Sequence, residues 1–160
     1  MNVTDMLKKL EEHGFNVRNA QADVLGDPEI GRCPVIMNAH YRRKAGQANW
    51  TRAGSPINIQ LARKLWLIGW DAVHKTFIHE LAHLFATDDG HGRRWHELCE
   101  HFGAKQGQYH NYSTVLGYKP RPLKIVGVCV DCGRKYSGRR RLNKTWTYTC
   151  QCGSKFIQRM

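Results

Sequence analysis

The sequence predicts an α+β protein: a larger domain with a small antiparallel sheet and one long apolar helix, then a small cysteine-rich β module. Three observations carry this. Short strand-like runs lie at residues 34–40, 46–52 and 56–59. Val73, Phe77, Leu81, Leu84 and Phe85 recur at helical spacing, so one side of that segment is buried. Four of the six cysteines fall in the last 41 residues as C-x2-C and C-x-C pairs.

Length supports one main domain and a small module, not two large cores. The chain has 160 residues and a formal net charge of +12. The boundary is expected at Lys119-Pro120-Arg121-Pro122, because prolines interrupt regular structure and stiffen a linker. This gives residues 1–119 as the larger domain and 120–160 as the module. No apolar run approaches the 18 residues of a membrane span. Met1-Asn2-Val3-Thr4-Asp5 lacks the basic start and apolar run of a secretion signal, so a cytoplasmic setting is expected, in a cell or in the host of a virus.

Taken in order, Thr4 is expected to cap a first helix running to His13, with Gly14 ending it and Leu7 and Leu10 facing inward. Pro34–His40, Gly46–Arg52 and Pro56–Ile59 read as strands. The third of them is the expected open edge, where an extended substrate could pair by its backbone. Leu61–Ile68 reads as a helix preceding the apolar one. Asp71 is the expected cap of that apolar helix, and Asp88-Asp89-Gly90 its stop. A further helix is expected from Gly92 to about Phe102.

The apolar helix carries His79-Glu80-Leu81-Ala82-His83. Residues i and i+4 share a helix face, so His79 and His83 can grip one zinc ion. Glu80 is then placed to take a proton from water as a general base. A catalytic zinc site needs a third protein ligand. His91, in His91-Gly92-Arg93-Arg94-Trp95, is the leading candidate, since the intervening residues let the helix end and the chain return. His96, Glu97 and Glu100 are its competitors. Ala86 and Asp89 occupy the positions that hold Gly and His in metzincins, which excludes that class.

An apolar helix with H-E-x-x-H, a short loop and then His-Gly-x-x-Trp resembles the SprT-like family of zinc metalloproteases. Gly46-Gln47-Ala48-Asn49-Trp50 with Ile57-Asn58-Ile59 resembles the family's strand pair, and a C-terminal zinc ribbon is common among its members. The resemblance spans about residues 34–160, with 1–33 not clearly matched. It implies a zincin-like fold, His79, His83 and His91 as ligands of a catalytic Zn²⁺, and Glu80 as general base.

Cys129, Cys132, Cys150 and Cys152 suit a tetrahedral thiolate site, so a second, structural Zn²⁺ is expected. A reducing setting argues against two disulfides. Cys33 and Cys99 are expected to be ordinary thiols. Charge divides unevenly: residues 1–119 carry 15 Lys/Arg and 12 Asp/Glu, whereas 120–160 carry 10 Lys/Arg and one acid. Such a module attracts polyanions. Lys135, Tyr136, Arg139, Arg140, Arg141, Lys144, Trp146 and Tyr148 interleave cations with rings, as phosphate contact and base stacking require. Spartan-type members of the family engage DNA through a similar segment.

The resulting expectation is a monomeric zinc endopeptidase acting on DNA-bound or DNA-crosslinked proteins. Its expected partner is DNA with single-stranded character; no membrane is involved. A non-catalytic nucleic-acid-binding zinc protein and a peptidase of soluble peptides are the two rivals. Tyr112, Tyr118 and His110 are left as candidates for an additional electrophilic donor.

Overall fold

The computed structural model describes residues 1–104, 122–138 and 147–154. The chain divides into two compact units, Met1–Tyr118 and Lys119–Met160. In the first, α1 (Val3–Glu12), α2 (Arg18–Gly26) and α3 (Pro28–Arg32) precede β1 (Val35–Asn38), β2 (Gly46–Trp50) and β3 (Pro56–Ala62). A 3₁₀ turn at Arg63–Leu67 leads into α4 (Trp70–Phe85), and α5 (Arg93–His101) follows. The second unit contains the antiparallel pair β4 (Lys124–Val128) and β5 (Lys135–Gly138). Among the described residues no helix is long and apolar enough to cross a membrane.

The start of α1 differs from expectation. Asn2, not Thr4, is the cap: its side chain accepts from the Asp5 N–H at 2.8 Å, and Asp5 accepts from the Asn2 N–H at 3.1 Å. This reciprocal capping box satisfies two orphan donors at once. Thr4 is already inside the helix, where its hydroxyl donates to the Gly31 carbonyl at 3.1 Å and ties α1 to α3. Val3, Met6, Leu7 and Leu10 are buried on the inner face. Gly14, at φ +83, takes the chain out of the helix through the left-handed region. Residues 18–32 carry no readable periodicity, since α2 buries only Ala20 and Val24. Asp27 caps α3 by accepting from the Glu29 and Ile30 N–H groups.

The sheet order is β1-β3-β2. It is mixed rather than antiparallel: β3 runs parallel to β1 and antiparallel to β2. The reason is positional. The β2–β3 connection turns the chain back so that β3 inserts between its two predecessors. This overturns the expectation that β3 is the open edge, because its backbone is paired on both sides. β1 and β2 are the edges. β3 also continues to Ala62, so the segment expected as a helix from Leu61 is strand and then 3₁₀ turn. Leu61, Ala62 and Leu65 are fully buried, and the burial of these residues overrides the helical propensity of the run.

Ala48, Ile59 and Leu61 face the core shared with α4, whose Val73, Phe77, Ile78 and Leu81 are fully buried. Helix α4 starts two residues earlier than expected. Gly69, at φ +121, stands at its cap, and Asp71 lies in the first turn, ion-paired with Lys75 at 2.8 Å. The helix ends at Phe85, ahead of the Asp88-Asp89-Gly90 stop, which forms the following turns with Gly90 at φ +57.

Candidate active site

His79 and His83 lie one turn apart on α4, as their i, i+4 spacing requires. The loop after α4 brings His91 back to them. The Nε2 atoms of His91 and His79 are 3.1 Å apart, and those of His91 and His83 are 3.2 Å apart. Three imidazole nitrogens aimed at one point cannot all be satisfied by one another, since a lone pair needs a proton opposite it. Ligands at 2.0–2.1 Å around a tetrahedral ion would stand roughly 3.3 Å apart, close to the spacing seen. The donor set therefore fits a zinc ion. His83 is pushed down to about 4, chiefly by burial and then by the neighbouring His91, so it is neutral and able to ligate. The competitors for the third position are elsewhere: Glu97 pairs with Arg93 at 2.7 Å and Glu100 is exposed.

Glu80, next to His79 on α4, turns its carboxylate against β2. It is 6% exposed, and its Oε2 accepts from the Ala48 N–H at 2.8 Å. Ala48 opposes Ile59 across the β2–β3 ladder, and its N–H is turned to the free side of β2. A strand-edge donor is thus spent on the carboxylate. Burial raises Glu80 to about 7, against the opposing pull of the Ala48 N–H and the charge of Lys44. A divalent cation in the histidine cluster acts in the same sense as Lys44.

Trp95, on α5, forms the wall of the site. Its indole N–H donates to the His79 carbonyl at 3.2 Å. Its ring lies 4.7 Å from that of His79, 5.4 Å from His83 and 4.6 Å from His91. Asp89 holds α5 in place, accepting from the Trp95 N–H at 2.9 Å. A side chain on Gly92 would come within 2.6 Å of the Asp89 carboxyl carbon, so this glycine makes room for the Asp89 cap rather than for a metal.

The sequence pointed to His79, Glu80, His83 and His91, and the structure brings the three histidines together with Glu80 beside them on α4. It did not reveal the parts played by Gly46, Ala48, Asp89 and Trp95. The Gly-x-Ala spacing in β2 and the Asp-x-x-Gly-x-x-Trp spacing before α5 are their only traces. His13 stacks on Trp70, His74 on Phe15, and His101 pairs with Asp23 at 3.1 Å, so these histidines serve packing and surface contacts. Cys33 and Cys99 are buried thiols, and burial pushes the Cys33 thiol up. Tyr112, Tyr118 and His110 lie outside the described residues.

In the second unit the four cysteines form one cluster. Cys129 Sγ and Cys152 Sγ are 3.6 Å apart, and Cys132 Sγ and Cys150 Sγ 3.5 Å. These gaps far exceed the roughly 2.05 Å of a disulfide and approach the ~3.8 Å that tetrahedral thiolate zinc sets. Two matching turns hold the pairs. The Gly133 N–H donates to the Cys129 carbonyl, and the Gly153 N–H to the Cys150 carbonyl, with both glycines at positive φ. The Cys150 thiol is held down at about 6, first by the Cys152 N–H and then by the Tyr136 hydroxyl, which donates to its sulfur at 2.9 Å. Of the expected nucleic-acid contacts, Lys135 is exposed on β5, while Tyr136 and Tyr148 are half-buried. Arg139, Arg140, Arg141, Lys144 and Trp146 lie outside the described residues.

This chain belongs to the SprT-like family, whose model matches residues 3–115. The match begins at α1, so the three N-terminal helices are part of the family domain, contrary to the narrower span expected from the sequence. It ends before the cysteine module. The family is metallopeptidase-like, in keeping with a histidine group able to hold a metal. No curated protein and no solved structure matches the chain.

Proposed function

We propose that the protein is a zinc-dependent endopeptidase of zincin-like architecture that cleaves proteins bound or crosslinked to DNA. The observation that carries the peptidase reading is the convergence of three imidazole Nε2 atoms one residue away from a buried, strand-anchored glutamate. His79, His83 and His91 would hold the catalytic ion. When bound, Zn²⁺ supplies Lewis acidity that polarises a carbonyl and makes water a stronger acid.

The chain's own residues supply the rest. Glu80 is fixed through Oε2, which leaves Oε1 to take the proton as water oxygen attacks the scissile carbonyl carbon. The same oxygen returns that proton to the departing amine nitrogen as the C–N bond breaks. Trp95 packs its ring against the three imidazoles and ties α5 to α4 through the His79 carbonyl. β2 is the open edge nearest Glu80, and an extended substrate would lie along it. In the cysteine module, Cys129, Cys132, Cys150 and Cys152 would hold a structural zinc. Its basic and aromatic segment would tether the enzyme to DNA with single-stranded character and raise the local concentration of attached proteins.

The test is proteolysis of a DNA-bound model protein by wild type and Glu80→Gln, with and without single-stranded DNA. Cleavage that needs both Glu80 and DNA is expected. Cleavage by zinc-loaded Glu80→Gln would remove Glu80 from its role, and equal rates without DNA would remove the tether.

A further inference from the structure

The sheet of the catalytic unit carries an unusual distribution of charge. Residues 30–70 contain seven Lys/Arg and no Asp or Glu. The flanking segments are the reverse: residues 1–29 and 71–104 each carry three Lys/Arg against six acids. All seven cations are exposed. A solvated basic segment ordinarily has carboxylates interspersed, and residues 30–70 contribute none of their own.

Topology sorts these cations. Arg42, Arg43 and Lys44 lie in the β1–β2 connection, and Arg63 and Lys64 follow the end of β3. The Ala62 N–H donates to the Ala45 carbonyl, and Asn38 pairs with Ala62, so these five share one end of the sheet. Arg52, in the β2–β3 turn, and Arg32, ahead of β1, belong to the opposite end. Seven residues of β3, about 3.3 Å each, separate the two ends by roughly 20 Å.

Between them runs a ladder of amides. Alternation along the strands places Asn38, Gln47, Asn49, Asn58 and Gln60 on the face opposite Ala48, Ile59 and Leu61. Asn38 donates to Gln60 Oε1 at 2.8 Å, Gln47 to Asn49 at 2.7 Å and Asn49 to Asn58 at 2.8 Å. The Tyr41 hydroxyl donates to Gln60 Oε1 at 2.9 Å, and Lys44 donates to Gln47. The amides are therefore pre-ordered and half-exposed. Ile36 shares their face at 44% exposure, and the Trp50 ring is exposed at the end of β2.

We infer that this sheet is a nucleic-acid contact surface of the catalytic unit itself, separate from the cysteine module, and that it takes a single strand. Cations at both ends track phosphates. A flat amide face carrying exposed Ile36, with Trp50 exposed at the end of β2, suits unstacked bases, whose edges are otherwise hidden in a duplex. The proposal does not depend on the module binding DNA.

The test uses the zinc-loaded full chain and fluorescein-labelled oligothymidylate, followed by anisotropy across a salt series. Arg42→Gln/Arg52→Gln/Arg63→Gln is compared with Lys8→Gln/Lys9→Gln/Arg18→Gln, which removes the same charge from exposed positions on α1 and α2. The sheet variant is expected to bind on the order of tenfold more weakly. Its slope of log affinity against log salt should fall by about 2, at ~0.7 per lost phosphate contact. The helix variant should match wild type. Trp50→Ala should weaken binding about tenfold with its slope unchanged, as loss of stacking predicts. Equal behaviour of the two triple variants overturns the proposal. So does a sheet variant that keeps its DNA affinity while losing affinity for labelled poly-glutamate, which would make the face an acidic-peptide site. An Arg139→Gln/Arg140→Gln/Arg141→Gln variant reads the module separately: if it binds as wild type while the sheet variant does not, the tether assigned to the module fails and this inference stands.

Discussion

A methyl group on Gly46 would stand 2.7 Å from both Cγ and Oε1 of Glu80. The same strand that leaves this space supplies the Ala48 N–H to Oε2, so β2 both admits the carboxylate and fixes it. Thr76 Cγ2 would stand 2.9 Å from the same methyl, so two residues of α4 crowd it.

Gly46→Ala is therefore expected to displace Glu80 rather than leave it in place. Overpacking of this kind costs about 1–3 kcal/mol of stability. A shift of about 1 Å in a catalytic group can cost on the order of 100-fold in rate. The expected variant is folded and zinc-loaded but catalytically crippled. Turnover of a protein substrate alongside metal analysis checks this, and wild-type turnover would show that the carboxylate's position is not set by β2.

Trp95 makes a second testable case. Trp95→Phe keeps a ring among the three histidines but loses the indole N–H to the His79 carbonyl. Partners that orient a metal ligand are worth about 10–100-fold in metal affinity. Competition against a chromophoric chelator should show a loss of that size at the histidine site, with little change in thermal stability. Unchanged affinity would make Trp95 packing alone.

His74 gives the catalytic unit an acid-sensitive element. It is 5% exposed, stacked on Phe15, and its Nε2 has no hydrogen-bond partner. Burial lowers its pKa below 6.5, outweighing the opposing charge of Asp71. The unfolded chain therefore takes up a proton at this position before the folded chain does. Stability is complete above about pH 6.5 and falls as pH drops from there toward the folded value, at up to about 1.4 kcal/mol per pH unit for one proton. Denaturant midpoints of the zinc-loaded protein should fall across that window. His74→Gln should flatten the fall, and an equal slope in the variant would place the acid sensitivity elsewhere.

The helical site was legible because its chemistry follows from spacing. His79 and His83 are one turn apart in any α-helix, and His91-Gly92 follows after a loop too short to travel far. The four cysteines were legible for the same reason. What sequence alone did not yield depends on tertiary choice. Leu61 and Ala62 lie in a run of good helix formers but are drawn into β3 by burial between two strands. The helices at 18–32 bury too few residues to show a period. The open edge was misassigned because strand order is set by how β3 inserts, which no local pattern records. Gly46 reads as the first residue of a strand, and no local pattern records that Glu80 packs against it.

The cysteine module depends on metal for its fold. Among its described residues only Gly127, Cys129 and Cys150 are buried. Leu123, Ile125 and Val130 are exposed. Among the described residues no apolar core offsets the entropy of ordering this module, so metal is expected to supply most of its folding free energy, which for thiolate zinc is roughly 10–16 kcal/mol. The catalytic unit is different, since Met6, Leu10, Ile59, Phe77 and Phe102 are fully buried and independent of the histidine cluster. Stripping metal with a strong chelator should thus collapse the amide resonances of residues 122–154 to random-coil shifts. Those of α1, α4 and the three-stranded sheet should keep their dispersion. Cys150→Ser should reproduce the first effect with zinc present, and Tyr136→Phe, which removes only the hydroxyl donated to Cys150, should weaken zinc retention without unfolding the module. Dispersed resonances from a metal-free module would mean that β4 and β5 fold on their own pairing, and that the four cysteines are not its organising element.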